Sequence, residues 1–225
     1  MNELKIFIQI LFFTLAFALG KMHAETKDSL QRLIKGNSAD TTLCAAMVAL
    51  GEELYSDTPD SALQLWKKTV AICNNKIEKT NDIKIKKRLL HSLSSAQNNI
   101  GYYFSFIGES DSALTYYKAS LATDTRTGDK NGMASTMINI GRIYDKTGNI
   151  PLALEFYHKS LKVEEETGNE EGQAFAYNNI AFIYDNLGDT SRALKFYNQS
   201  LQLRLKIKDD FGAAQSYNNI GTVYN

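Results

Sequence analysis

The sequence repeats itself every 40 residues, and this period limits the folds open to the chain more than any other feature. The triplet Asn-Ile-Gly stands at 99–101, 139–141 and 219–221, and Asn-Ile-Ala stands at 179–181. Each full copy continues with a glycine, an alanine, a tyrosine and a Ser-Leu pair at fixed distances. A fixed period of this length indicates a stacked array, in which each unit buries its apolar face against its neighbours.

One copy, residues 132–171, indicates that each unit is a pair of helices. Between Ala134 and Tyr144, small or apolar residues recur at intervals of three and four, as on a helix with one buried face. Gly148 interrupts this pattern, and glycine suits the left-handed conformation past a helix end. Pro151 then stands where a second helix starts, a position at which its missing N–H costs nothing. The sequence therefore predicts an all-α protein.

The spacing of small and aromatic residues resembles the tetratricopeptide repeat. One copy shows the pattern as Gly141, Tyr144, Gly148, Ala153 and Tyr157. The family's usual period is about 34 residues, and the longer period here resembles the variant found in kinesin light chains and many bacterial signalling proteins. The resemblance implies a right-handed superhelical solenoid of stacked antiparallel helix pairs. A glycine inside a helix costs about 1 kcal/mol against alanine, so Gly141 is expected to allow a close helix contact.

The repeat boundaries divide the chain into seven segments. In the first repeat Trp66 takes the place of the repeat tyrosine, and extra residues lengthen the helices and the turn that follows. The predicted segments are a signal peptide (1–24), an N-terminal capping segment with a short amphipathic helix (25–40), a degenerate first repeat (41–91), repeat 2 (92–131), repeat 3 (132–171), repeat 4 (172–211) and the first helix of an incomplete repeat 5 (212–225).

The N-terminal segment differs from the rest of the chain. Residues 6–20 are apolar apart from Gln9 and Thr14. This run is shorter than the about 20 residues that a membrane-spanning helix needs, and Ala18 and Gly20, or Ala24, offer candidate cleavage points. We expect a secretory signal peptide, with an uncleaved membrane anchor as the alternative. The protein is therefore expected to be exported, to the periplasm or another extracytoplasmic space.

The two cysteines both belong to the degenerate first repeat. Cys44 lies at the start of its first predicted helix and Cys73 near the end of its second, and these ends are neighbours in an antiparallel pair. A disulfide is geometrically allowed, would suit an exported chain and would add about 3 kcal/mol of stability in the loop-entropy model. The alternative, equally supported, is two buried thiols that act as small apolar groups.

Charge and motif content favour a binding protein over an enzyme. The 25 basic and 25 acidic side chains cancel, which removes the electrostatic argument for nucleic acid or an anionic membrane as a partner. No HExxH, GxSxG or phosphate-binding glycine loop occurs, and His91 and His158 hold unrelated repeat positions. The carboxylates at 164–166 flank a turn and are expected to be solvated. We expect no catalytic residue, no metal site and no cofactor, with a protein or peptide as partner.

The asparagine of the repeated triplet is the main candidate for binding. The first helix of each pair lines the concave side of such a superhelix, so these asparagines would form a ladder along it. Each side-chain amide carries a donor and an acceptor, and in peptide-binding tetratricopeptide domains asparagines at the matching place bind the peptide backbone. The alternative is that they only satisfy neighbouring helices. The candidate residues are the Asn ladder, Asn99, Asn139, Asn179 and Asn219, and beside it Tyr102, Arg142, Phe182, Asp145 and Asp185.

The last repeat contains a first helix without its second. Tyr217, Ile220, Val223 and Tyr224 would then lie partly uncovered, whereas a solenoid normally ends on a polar face. We expect that the natural protein continues beyond Asn225. The alternative is that this face meets another chain, which includes self-association.

Two functional interpretations follow, with an enzyme as the third and weakest. The first is a non-catalytic scaffold that binds a peptide or protein through the Asn ladder. The second is the extracytoplasmic sensor region of a longer bacterial signalling protein, such as a membrane histidine kinase or a transcription regulator. The membrane would be reached only through the N-terminal segment or a region beyond Asn225.

Overall fold

A computed structural model describes residues 26–36 and 39–224, so the predicted signal peptide, Glu25 and Asn225 lie outside the described residues. Every regular element in this part of the chain is a helix, which confirms the all-α prediction. None of these helices is both long and apolar enough to cross a membrane. The helices are α1 (26–35), α2 (Asp40–Leu54), α3 (Pro59–Lys79), α4 (Ile83–Phe106), α5 (Ser110–Thr127), α6 (Lys130–Lys146), α7 (Ile150–Thr167), α8 (Glu170–Asn186), α9 (Thr190–Lys206) and α10 (Asp210–Val223).

The helices belong to two compact units, whose boundary falls inside α4, between Ser92 and Leu93. In the N-terminal unit, α2 and α3 pack as an antiparallel pair around Trp66, which is 2% exposed. The Trp66 indole donates a hydrogen bond of 3.2 Å to the carbonyl oxygen of Val48. Its ring lies against Gly51, where a Cβ atom would stand 2.3 Å from the indole nitrogen. Tryptophan thus holds the first pair together in the manner expected for the repeat tyrosine.

In the C-terminal unit, each second helix presses one buried tyrosine onto the small residue of the preceding first helix. Tyr157 is 1% exposed, and a Cβ atom on Gly141 would lie 2.6 Å from its ring. The same ring packs in one apolar cluster with Ile180 and Ile183 of the next repeat. The close contact expected at Gly141 is therefore present, and Tyr157 also joins two neighbouring repeats. Tyr117 and Tyr197 hold the equivalent places.

The turns explain why the helices end where they do. The turn glycines within a repeat have a positive φ, for example 78° at Gly148, a conformation that costs other residues a steric clash. Each helix from α6 to α10 is capped by an aspartate or asparagine; for example, the Asn149 side chain accepts a hydrogen bond from the backbone N–H of Leu152. Such caps stabilise a helix by about 1 kcal/mol each. These local signals fix helices of nearly equal length, which keeps the repeats in register.

Candidate functional site

A groove of about 430 Å³ crosses three consecutive first helices of the C-terminal unit. The 40-residue period explains its construction, because side chains at equivalent positions of α4, α6 and α8 point to the same side. We name it the α4/α6/α8 groove. Its lining residues are Tyr102, Ser105 and Phe106 from α4, Arg142, Asp145 and Lys146 from α6, Tyr157 from α7, and Asn179 and Phe182 from α8.

Three aromatic rings stand exposed along this groove. Tyr102 is 43%, Phe106 72% and Phe182 47% exposed. Rings of this size gain much from burial, and their clustering on a monomer's surface is typical of an interaction site. The groove can therefore take apolar or aromatic side chains from a ligand.

Charged groups of both signs lie between the rings. The Arg142 and Lys146 side chains are exposed, and the Lys146 Nζ atom lies 3.4 Å from the carbonyl oxygen of Ser105, to which it donates. Burial raises the pKa of the Asp145 carboxyl. Burial, and after it the negative charge of Asp145, also raises the pKa of the Tyr157 hydroxyl. The groove thus offers two cations, one carboxylate and a phenol that stays protonated at neutral pH.

The Asn ladder is tied into contacts between neighbouring first helices. Asn139 Nδ2 donates to Asn98 Oδ1 at 3.1 Å, and Asn219 Nδ2 donates to Asn178 Oδ1 at 3.0 Å. The residue 41 positions before Asn179, which corresponds to Asn98 and Asn178, is Ile138 and carries no side-chain amide. Its Nδ2 donates instead to the carbonyl oxygen of Phe175, at 3.0 Å.

The structure therefore places the nine candidate binding residues in two groups. Five line the α4/α6/α8 groove: Tyr102, Arg142, Asp145, Asn179 and Phe182. Asn99, Asn139 and Asn219 are half-buried on their first helices and are not among the lining residues. Asp185 is half-buried near Tyr197: burial, together with the Asp185 charge, raises the pKa of that tyrosine to about 12.

Four lining residues were not among the predicted binding residues, and two of them, Phe106 and Lys146, are informative. They hold the same repeat position, one helical turn beyond Tyr102 and Arg142. Side chains four residues apart share a helix face. Extending the candidate columns by one turn would therefore have found both.

The prediction that the carboxylates at 164–166 are solvated is wrong for Glu164. Its side chain is only 4% exposed, because residue 164 follows the buried Tyr157 and Leu161 by seven and three residues and so shares their helix face. Burial raises the pKa of the Glu164 carboxyl, and a hydrogen bond with Asn169 partly offsets this rise. Gly172 makes room for the group, since a Cβ there would lie 2.2 Å from the carboxyl carbon. Glu165 and Glu166 are exposed, as expected.

The two cysteines lie side by side in the core of the N-terminal unit. Cys44 and Cys73 are both fully buried and both are free thiols in this structure. A hydrogen bond between the two thiols lowers the pKa of Cys44 and raises the pKa of Cys73. The geometry is consistent with either interpretation of the sequence, so the disulfide stays a prediction.

The family of the protein follows from comparison of its sequence with family models. A tetratricopeptide repeat model matches residues 92–166 and again 132–206, which together make up just over half of the chain. The chain belongs to the tetratricopeptide repeat family. This confirms the resemblance drawn from the glycine, alanine and tyrosine columns. No curated protein sequence matches the chain.

Several solved structures share this tetratricopeptide fold. BtubC (BKLC) from P. vanneervenii is 16% identical with a TM-score of 0.72, over 91% of this chain and 81% of that one. Aspartyl phosphate phosphatase F from Bacillus subtilis is 14% identical with a TM-score of 0.73, over 85% of this chain and 48% of that one.

A signal transduction ATPase with a tetratricopeptide repeat sensor, from Pyrococcus horikoshii, is 19% identical with a TM-score of 0.71, over 87% of this chain and 30% of that one. The chain thus spans less than half of the phosphatase and less than a third of the ATPase. At these identities the likeness shows the fold alone. The helix pairs and their stacking are therefore those of tetratricopeptide solenoids.

Proposed function

We propose that this tetratricopeptide protein is a non-catalytic scaffold that binds an extended segment of a protein or peptide in the α4/α6/α8 groove. The tetratricopeptide fold generally serves protein interactions. The observation that carries the proposal is the convergence of five candidate side chains, from three repeats 40 residues apart, on one groove.

The dimensions of the groove suit a short extended peptide. Packed helices lie about 8–10 Å apart, so three first helices present a track of about 20 Å. An extended chain rises about 3.3 Å per residue, which gives about six residues of peptide along this track. A ligand of this length alternates its side chains, so that two or three of them point into the groove.

Each lining group then has a role that its chemistry allows. The rings of Tyr102, Phe106 and Phe182 receive apolar side chains of the ligand. Arg142 and Lys146 donate to carbonyl oxygens or to an acidic side chain. Asn179 binds the peptide backbone, whereas Asn139 and Asn219 hold neighbouring first helices in register through their hydrogen bonds with Asn98 and Asn178.

A comparison of two phenylalanines on α8 tests this proposal. Phe182 lines the groove and is 47% exposed, whereas Phe175 lies outside it and is 48% exposed. Peptides are selected from a random 12-residue display library on the full chain, and their Kd is measured by fluorescence anisotropy. Phe182→Ala should weaken binding at least tenfold, as at an aromatic hot spot of about 1.4 kcal/mol or more, and Phe175→Ala should change Kd less than twofold. Equal effects of the two substitutions on Kd, or failure to select any peptide, would contradict peptide binding in the α4/α6/α8 groove.

We also propose that the protein is exported and serves as the sensor part of a signalling system, as a second candidate. The composition of residues 6–20 supports export, and the likeness to a tetratricopeptide sensor from a signal transduction ATPase supports the sensor role. Mass spectrometry of the protein from fractionated cells should find a mature N-terminus near Glu25 outside the cytoplasm. An intact Met1 in the cytoplasmic fraction would contradict both export and a sensor role outside the cytoplasm.

A further inference from the structure

Helix α4 begins earlier than the corresponding first helices of the later repeats. It has 24 residues, whereas α6 and α8 have 17 each. The residue 40 positions before Lys130, where α6 begins, is Leu90, so residues 83–89 precede the repeat register. At about 1.5 Å per residue, this extension adds about 10 Å of helix. We name residues 83–88 the α4 overhang; it belongs to the N-terminal unit.

Every side chain of the α4 overhang is exposed, and the core begins only with Leu89, which is fully buried. Two of the exposed side chains are apolar: Ile83 is 83% and Ile85 is 41% exposed. The other four are cations, Lys84, Lys86, Lys87 and Arg88. The overhang therefore combines four positive charges with two aliphatic side chains and contains no acidic residue.

This arrangement of charge is unfavourable for the helix itself. Cations near a helix N-terminus oppose the macrodipole. Lys84 stands three residues before Lys87 and four before Arg88, and like charges at these spacings repel each other. None of the four cations forms an ion pair with another described residue. The cations are therefore available to an anionic partner, which would relieve their repulsion.

The start of the helix is nevertheless well fixed. The Asp82 carboxylate caps it: Oδ1 accepts hydrogen bonds from the backbone N–H groups of Lys84, at 2.8 Å, and of Ile85, at 3.1 Å. Such a cap stabilises the first turn. The overhang thus presents its cations and isoleucines on a formed helix.

The zero net charge of the chain does not cancel this local excess. The 25 basic and 25 acidic side chains balance only over the whole sequence. At physiological ionic strength, exposed charges more than about 8 Å apart are largely screened from each other. The electrostatic argument against an anionic membrane therefore holds for the chain as a whole and fails at the α4 overhang.

We propose that the α4 overhang binds an anionic lipid surface. Its four cations lie against the lipid phosphate groups, and the Ile83 and Ile85 side chains enter the boundary between headgroups and acyl chains. Burial of these side chains is favourable because it removes aliphatic surface from water. Each cation near an anionic surface strengthens binding by about fivefold.

The composition of the overhang favours lipid over protein or nucleic acid. Protein interfaces are enriched in aromatic residues and depleted in lysine, and single-stranded nucleic acids are bound by stacking on aromatic rings. The overhang contains three lysines and no aromatic residue. Clusters of about four to eight cations on a helix that also carries aliphatic side chains are typical of segments that bind anionic lipid.

Vesicle sedimentation of the full chain tests the proposal. One set of vesicles is phosphatidylcholine, and the other is phosphatidylcholine and phosphatidylglycerol in equal parts. Insertion of the apolar residues 6–20 is common to both sets and to every variant, so the measured quantity is the ratio of the two partition coefficients. We expect this ratio to be at least fiftyfold for the wild type, from four cations at about fivefold each.

A matched pair of double variants locates the binding. Lys84→Gln/Lys87→Gln should lower the ratio at least tenfold, because it removes two of the four cations. Lys118→Gln/Lys162→Gln removes the same charge from exposed positions of α5 and α7 and should change the ratio less than twofold. All the substituted side chains are exposed, so both variants should fold normally, as circular dichroism can check.

Two substitutions of Ile83 test the apolar part. Ile83→Ser should lower binding to the mixed vesicles at least threefold. Ile83→Trp places a fluorophore on the overhang, and its emission should shift to the blue with the mixed vesicles and not with phosphatidylcholine alone. No shift, or no effect of Ile83→Ser, would contradict entry of the overhang into the lipid.

Three other outcomes would overturn the proposal. The first is equal binding of the wild type to the two sets of vesicles, and the second is an equal effect of the two double variants. The third is tighter binding to a single-stranded oligothymidine than to the mixed vesicles, lost in Lys84→Gln/Lys87→Gln, which would assign the overhang to nucleic acid.

Discussion

Glycine and tyrosine at paired repeat positions set the distance between the two helices of a repeat. Gly141 and Gly221 hold the same position in the 40-residue register, but only Gly141 lies under a ring. The same substitution at these two positions should therefore change stability in opposite directions.

We predict that Gly141→Ala destabilises the protein by about 1–3 kcal/mol, because its Cβ would overlap the buried Tyr157 ring and overpacking costs energy of this order. Gly221→Ala should stabilise it by about 0.5–1 kcal/mol, since alanine is the better helix former and meets no neighbour. Urea unfolding followed by circular dichroism measures both. Loss of stability in both variants of the 225-residue chain would contradict the open space around the Cβ position of Gly221.

Much of the residue-scale picture could be predicted from the sequence, because each column of the repeat has one dominant chemistry. The Gly141 contact and the turn glycines are examples. Glu164 is an exception, because its charge favours solvent whereas its spacing from Tyr157 places it on the buried face of α7. The hydrogen-bond partner of Asn139 could not be predicted from the ladder itself. It is Asn98, which stands one residue before the ladder asparagine Asn99 and is not part of the repeated triplet.

At the scale of elements, the packing of α2 against α3 brings Cys44 and Cys73 into contact. Whether the two thiols form a disulfide then depends on the redox conditions around the protein. During refolding, before α2 and α3 bury the two cysteines, the thiolate of one cysteine can attack a glutathione disulfide, release one glutathione thiolate and form a mixed disulfide. The thiolate of the other cysteine then attacks this mixed disulfide, which forms the Cys44–Cys73 bond and releases the second glutathione thiolate.

We predict that refolding in a glutathione redox buffer gives an intramolecular Cys44–Cys73 disulfide. The mass should fall by two hydrogen masses, and the oxidised protein should be more stable than the reduced one by about 3 kcal/mol, from the loop-entropy model. Cys44→Ser provides the control that cannot close the bond. Two thiols that remain titratable in the refolded protein, with no loss of mass, would favour the alternative of buried apolar thiols.

Helix bounds were also predictable at this scale, because caps and turn glycines are short-range signals. Gly148 follows the end of α6 and Asn149 caps the start of α7. Both signals can be read from neighbouring residues alone. The groove could not be predicted from such short-range signals. Its position depends on which faces of α4, α6 and α8 remain uncovered once the second helices have packed. The repeat positions in the sequence predicted Arg142 and Phe182 as binding residues, and both line the groove. The same repeat positions did not distinguish Asn179, which lines the groove, from Asn139, which bonds to a neighbouring helix.

At the scale of the whole molecule, the repeat brings side chains that are 40 residues apart in sequence onto one surface. The α4/α6/α8 groove collects rings, cations and an amide from three successive repeats. If this groove binds an extended ligand, as we propose, changes at Phe182 should affect binding without affecting the fold.

Site-specific photo-crosslinking tests the groove most directly. Benzoylphenylalanine replaces Phe182 in one full chain and Phe175 in another, and each is irradiated with a peptide selected on the wild-type protein. We expect covalent capture of the peptide from position 182, competed by unlabelled peptide, and none from position 175. Capture from position 175 but not from position 182 would contradict binding in the α4/α6/α8 groove.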